Sequence, residues 1–267
     1  SNTVSANIIS KEEGIVSGQM VIDRLLAEYT EDLTHDWSIK EGGQTKVNEI
    51  ILKIKGSSSE ILKIERVLLN ILGRLSVIST TTADWVTTAK NIQLACTRKT
   101  DWGILDKWAV HVGGGLTHRL FRSDALMLKE NDFASVRKTG ESQKDGMRKL
   151  ISNIDLGKNS KFTVIEVQSL DEAISAAETW SEKQKNNSTT DPVILLLDNM
   201  GPSKAKQVVD ELERLELRSW CILEGSGGIS KHSIPDWSTS GVDLISTSAM
   251  NRGVKPLDIS LIIEGVG

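Results

Sequence analysis

The chain has 267 residues, 39% of them hydrophobic and 25% charged, with a formal net charge of −4. That length suits one barrel, or a barrel with a small second domain. The negative balance and the lack of a basic stripe interleaved with aromatics exclude an obvious nucleic-acid surface, and no apolar run is long enough to cross a bilayer. Cys96 and Cys221, the only cysteines, share no metal-ligand spacing and read as small core residues in a reducing compartment. No signal-peptide pattern opens the chain, Ser1-Asn2 reads as an expression remnant, and the cytoplasm is the expected location.

The first 76 positions differ in pattern from the rest. Ala6–Ser10, Gly14–Gly18 and Glu49–Ile54 read as strands broken by glycine and charged turns, with a helix expected over Val21–Ala27 from apolar positions 21, 22, 25 and 26. Ser57-Ser58-Ser59-Glu60 opens a long helix, continued by apolar positions 61, 64, 67, 68, 71, 72 and 75. A small α/β domain over 1–76 follows.

From residue 77 strands alternate with helical patterns, the mark of βαβ units and a parallel sheet. Seven short apolar runs end in polar residues: Leu94–Thr97, Trp108–Val112, Ala125–Leu128, Phe162–Ile165, Val193–Leu197, Trp220–Leu223 and Val242–Ile245. Helices are expected over Leu170–Lys183 and Pro202–Leu215, where Pro202 suits a first turn. The expected barrel domain is 77–254. A last apolar strand, Leu257–Ile263, lies in a tail (255–267) expected to return to the first domain's sheet.

In a parallel (β/α) barrel the carboxyl ends of the strands share one mouth. The residues at the run ends are therefore the candidate site: Arg98, Lys99, His118, Arg119 and Lys129 on the basic side, Glu166, Asp198 and Glu224 on the acidic side. Cations from several strands suit a small molecule with several anionic groups, Arg binding carboxylate or phosphate bidentately and Lys acting as a point charge. The carboxylates could hold Mg²⁺ through water or hydrogen-bond sugar hydroxyls. Gly113-Gly114-Gly115 is either a close approach to a ligand or a flexible turn. Ser226-Gly227-Gly228 and Ser248, after the last two strands, read as phosphate loops.

Taken together, these segments resemble the quinolinate phosphoribosyltransferase family. The carrying motifs are Thr97-Arg98-Lys99-Thr100, Gly113-Gly114-Gly115-Leu116-Thr117-His118-Arg119, Asp124–Asn131, Ile165-Glu166-Val167, Leu196–Met200 and Leu223–Gly228, with Glu65–Asn70 upstream. The resemblance implies an N-terminal open α/β sandwich, a C-terminal incomplete (β/α) TIM-like barrel, and a homodimer in which Arg66 reaches the partner's substrate. It implies that Arg66, Arg98, His118, Arg119 and Lys129 bind the pyridine carboxylates. Lys99, Glu166 and Asp198 would serve phosphoribosyl pyrophosphate, with Glu166 and Asp198 holding Mg²⁺; Ser226, Gly227, Gly228 and Ser248 would hold the 5-phosphate.

Several positions depart from the family pattern. The usual early segment is expected to be missing, and Pro-Gly-Leu-Arg is shortened to Asp101-Trp102-Gly103-Ile104, losing a basic residue. Asn-His after the lysine is Asn131-Asp132, a glycine of the last phosphate loop is Ser248, and a later histidine is Arg252. The expected reaction is transfer of the phosphoribosyl group to quinolinate, with loss of pyrophosphate and CO₂, giving nicotinate mononucleotide. One alternative is a paralogue acting on nicotinate or another aromatic acid. A Schiff-base aldolase using Lys129 is the other.

Overall fold

The computed structural model describes residues 2–155 and 161–264. The elements run in chain order as β1 (Thr3–Ser10), β2 (Gly14–Ile15), α1 (Gln19–Tyr29), β3 (Thr34–Trp37), β4 (Gln44–Thr45), β5 (Ile50–Ser57), α2 (Ser58–Ala89), β6 (Gln93–Cys96) and α3 (Ile104–Val112). After these come β7 (Ala125–Leu128), α4 (Glu130–Ser135), α5 (Gln143–Asn153), β8 (Phe162–Val167), α6 (Leu170–Asn186), β9 (Val193–Asp198), α7 (Gly201–Arg214), β10 (Cys221–Ser226), α8 (Ile234–Ser238), β11 (Leu244–Thr247) and β12 (Ile259–Ile263). By its contacts the chain forms two compact units. One comprises Ser1–Thr87, Lys99–Thr117 and Ser248–Gly267; the other comprises Thr88–Arg98 and His118–Thr247. Ser1 and residues 265–267, expected within the first domain, lie outside the described residues.

The first unit is built on an antiparallel sheet in the order β12-β1-β5-β3. β12 pairs directly with β1, Ile8 opposite Leu261, while Ile8 faces Leu52 of β5 on its other side. Residues alternate across a strand, so Ala6, Ile8, Leu52 and Ile54 face one core with the Ile61, Ile64, Leu68 and Leu72 stripe of α2. β2 is shorter than the expected Gly14–Gly18 strand, pairing only Gly14 and Ile15 with β4. α1 has no side-chain cap of its own at Gly18. Glu41 takes that role, accepting from the Gly18 and Gln19 amides at 3.0 and 2.7 Å and from Trp108 Nε1 at 2.9 Å.

α2 runs for 32 residues, well past the last apolar position of its expected stripe. Ser76, Ser79 and Thr82 continue its buried face with small side chains, and Ser79 Oγ donates to the Ala109 carbonyl of α3 at 2.7 Å. A Cβ at Gly113 would overlap the Ser79 carbonyl oxygen, and one at Gly115 would meet Thr82. Here glycine serves a close passage over α2.

The sequence reading of Trp108–Val112 as a strand is corrected by the structure: this run is the second half of α3. A run of four apolar residues around His111 suits a buried strand, but the buried positions are 106, 107, 109 and 110, a helical face. The buried sheet of the second unit thus has six strands, not seven.

Those six are parallel, in the order β6-β11-β10-β9-β8-β7, forming an incomplete (β/α) barrel whose terminal strands are β6 and β7. Helices follow most strands, so the sheet is covered and its strands read as near-continuous apolar runs, Val193–Leu197 above all. α6 turns Ala173, Ala176, Ala177 and Trp180 inward and α7 turns Ala205, Val208, Val209 and Leu212 inward, on the faces that the periodicity marks. Among the described residues no helix is long and apolar enough to cross a membrane.

Candidate active site

Parallel pairing fixes which side chains share a level. Glu166, Leu196, Glu224 and Leu244 lie on one rung, and Asp198, Ser226 and Ser246 lie two residues nearer the carboxyl ends. Arg98 follows β6 and Lys129 follows β7 directly. The second unit therefore gathers Arg98, His118, Arg119, Lys129, Glu166, Asp198, Ser226, Gly227 and Gly228 in one compact body. Arg66, Lys99 and Ser248 belong to the first unit, Arg66 on the exposed side of α2.

His118 sits at the centre of this cluster's polar contacts. Its backbone is left-handed, φ 52°, a conformation that costs a side-chain-bearing residue energy and recurs at functional sites. The Arg119 amide donates to Nδ1 at 2.8 Å, so that nitrogen is an acceptor and Nε2 carries the hydrogen, which it donates to Glu224 Oε2 at 2.9 Å. Phe162 packs edge-on against the ring at 5.8 Å between centroids. Both ring nitrogens are thus engaged within the protein. Glu224 is 1% exposed, and its other oxygen, Oε1, is buried with no hydrogen-bond partner among the described residues.

Arg119 is 8% exposed, unusual for a guanidinium. Its Nη2 donates to the Met127 thioether at 2.9 Å, and no carboxylate is within ion-pair reach of it among the described residues. Burial pushes its pKa below the ordinary arginine value; the charges of Arg98 and Arg122 push the same way, and Glu224 and Glu166 oppose them. A buried cation short of a counter-charge is costly unless an anion arrives to pair with it. The arrangement fits a carboxylate ligand.

The acidic side is held differently. Lys129 Nζ pairs with Glu166 Oε2, and Asn199 Nδ2 donates to Asp198 Oδ2 at 3.0 Å. Asn199 is also left-handed, φ 55°, and its amide donates to the Ser226 carbonyl at 2.9 Å, tying the β9 turn to the β10 loop. That loop bends through Gly227 and Gly228, φ 94° and 60°, and a Cβ at Gly227 would overlap Asn199 Oδ1. Glycines in such a turn let the backbone and its amides approach an anion closely. No group of three or more His, Cys, Asp or Glu among the described residues could hold a metal ion. Two carboxylates at adjacent strand ends do suit a magnesium ion that keeps its water and brings substrate phosphates with it. The link between His118 and Glu224, 106 positions apart, has no signal in the sequence.

The comparisons with known proteins bear on this site. Residues 78–262 match the family described as quinolinate phosphoribosyl transferase, C-terminal domain, and residues 1–76 match its N-terminal domain. The chain belongs to the quinolinate phosphoribosyltransferase family. It is 34% identical to the probable nicotinate-nucleotide pyrophosphorylase [carboxylating] of Methanothermobacter thermautotrophicus over 98% of this chain and 89% of that protein. The solved nicotinate-nucleotide pyrophosphorylase of Francisella tularensis superposes with a TM-score of 0.81 at 28% identity, covering 98% of this chain and 87% of the other. Human nicotinic acid phosphoribosyltransferase shares the fold alone, at 12% identity and a TM-score of 0.66 over 98% of this chain and 70% of the other.

Proposed function

We propose that the chain transfers the phosphoribosyl group of phosphoribosyl pyrophosphate to quinolinate, forming nicotinate mononucleotide, pyrophosphate and CO₂ in NAD biosynthesis. Family membership supports the reaction class. The observation that carries the substrate class is the buried Arg119 guanidinium, with no carboxylate in ion-pair reach among the described residues, beside the Arg98 charge. Two guanidiniums and the Lys129 ammonium suit two carboxylates on one ring.

The roles follow from charge and position. Arg98, Arg119 and Lys129 clamp the pyridine acid with its ring nitrogen towards C1 of the sugar, and Arg66 joins them from a second copy of the chain in a homodimer. His118 is placed with them by the resemblance, but its engaged nitrogens assign it to holding Arg119 in this conformation. The nitrogen lone pair forms the N–C1 bond as the C1–O bond breaks and its electron pair leaves on pyrophosphate. Lys99 offsets the leaving charge. Ser226, Gly227, Gly228 and Ser248 hold the 5-phosphate, and Glu166 and Asp198 accept hydrogen bonds from the ribose hydroxyls. Those carboxylates would also hold Mg²⁺ directly or through water; the ion would neutralise pyrophosphate charge. The C2–carboxylate bond then breaks, CO₂ departs, and the electron pair left at C2 beside the quaternised nitrogen takes up a proton. Positioning and preorganised charge supply the acceleration. The cytoplasm is the proposed location, in line with two free cysteines.

Nothing observed favours the Schiff-base alternative, since the Lys129 ammonium faces Glu166 in a family of transferases. The test is turnover of quinolinate and, separately, nicotinate with phosphoribosyl pyrophosphate and Mg²⁺, following nicotinate mononucleotide. Product from quinolinate alone is expected. Product from nicotinate alone overturns the substrate assignment, and silence with both overturns the reaction.

A further inference from the structure

Glu224 is the most buried ionisable group of the site, and the roles above leave it unused. It lies inside β10, 1% exposed, on the rung that also carries Glu166. Oε2 receives the His118 Nε2 hydrogen at 2.9 Å, and Oε1 has no partner among the described residues. The other end of the same imidazole is fixed by the Arg119 amide at 2.8 Å. His118 therefore bridges the core of the sheet to the backbone of the residue that presents the buried guanidinium. Its left-handed φ of 52° persists only where neighbouring contacts over-determine it. Glu224 also supplies one of the two negative charges that oppose Arg98 and Arg122 at Arg119.

We propose that Glu224 is a positioning residue for the acid substrate: through His118 it fixes the 118–119 turn and so aims Arg119 at a ring carboxylate. The proposal rests on the reading that this cation cluster binds a pyridine dicarboxylate. A carboxylate that fixes the tautomer and plane of a histidine shapes whatever that histidine supports. Gln at this position keeps an oxygen that accepts from Nε2; Ala keeps nothing.

The experiment measures quinolinate and phosphoribosyl pyrophosphate affinity separately for the full-length wild type, Glu224→Gln and Glu224→Ala, with ¹⁵N NMR of the His118 ring. Expected are an Nε2–H tautomer in the wild type and an altered ring state in Glu224→Ala. Quinolinate should bind Glu224→Ala roughly tenfold to a hundredfold more weakly, the range for losing a charged hydrogen bond. Glu224→Gln should recover most of that affinity, and phosphoribosyl pyrophosphate affinity should stay within about threefold in both. An Nδ1–H tautomer in the wild type, unchanged quinolinate affinity in both variants, or equal weakening towards both substrates overturns the proposal. A wild type that does not bind quinolinate at all overturns instead the substrate reading, and the ring tautomer then still decides whether Glu224 holds His118.

Discussion

The two ends of the parallel sheet use the same residue types to opposite effect. At the amino ends, Arg218 meets both oxygens of Asp243 at 2.8 and 2.9 Å and donates to the Cys221 carbonyl at 2.7 Å, while Asp243 Oδ2 accepts from the Leu223 amide at 2.7 Å. At the carboxyl ends, Arg119 has a thioether for a partner and Glu224 keeps a buried oxygen without a hydrogen-bond partner among the described residues. One end is closed on itself, and the other leaves polar capacity open, which the proposed substrate would complete. A site built this way trades stability for binding, and the barrel places it where strand ends converge.

Substituting each end should separate the two effects. The largest is Arg119→Ala, expected to lower kcat/KM for quinolinate about a thousandfold or more. Arg119→Met should match that loss with a melting temperature equal to or above that of the wild type, because a buried, unpaired charge is gone; steady-state kinetics and calorimetry on the same samples check both. Gly227→Ala comes next. A side chain there meets Asn199 in a left-handed turn, so it should raise KM for phosphoribosyl pyrophosphate about tenfold and cost about 1–3 kcal/mol of stability.

At the closed end, Arg218→Ala should lower stability by only about 1 kcal/mol, a few degrees at most, since both partners are partly exposed. Its kinetics should match the wild type, and a large loss of activity would dissolve the contrast between the ends. The smallest effect concerns Cys221 at the start of β10, whose thiol is pushed up to about 12 by burial. A folded pKa raised above the ordinary value of 9.0 leaves stability whole below pH 9 and removes it gradually as pH rises from 9 towards 12. Cys221→Ala should flatten that alkaline slope in denaturant titrations.

Much of the barrel was legible because burial on both faces leaves an unbroken apolar run, as in β9. The same signal misled at Trp108–Val112, where a packed helix of similar composition ends. β3 was invisible: Thr34–Trp37 is a polar edge strand, with three of four residues exposed. The full length of α2 was missed although Ile78, Trp85 and Ala89 continue its buried face, because the small polar Ser76, Ser79 and Thr82 are buried among them and dilute the apolar signal. In the site, the cations could be read from their place at run ends. Which of them lie together in one compact unit, and that His118 spends both nitrogens on the protein, depend on pairings across about a hundred residues that local pattern does not encode.

The most direct test of the unfilled carboxyl end is the thermal shift that quinolinate produces in the wild type, with nicotinate as the control. A ligand at a hundred times its dissociation constant adds about 2.7 kcal/mol, several degrees for a chain of this size. A dicarboxylate that satisfies the buried cation should give such a shift in the wild type, far less in Arg119→Met, and less with nicotinate. An equal shift from nicotinate, or one that survives loss of Arg119, would contradict the account.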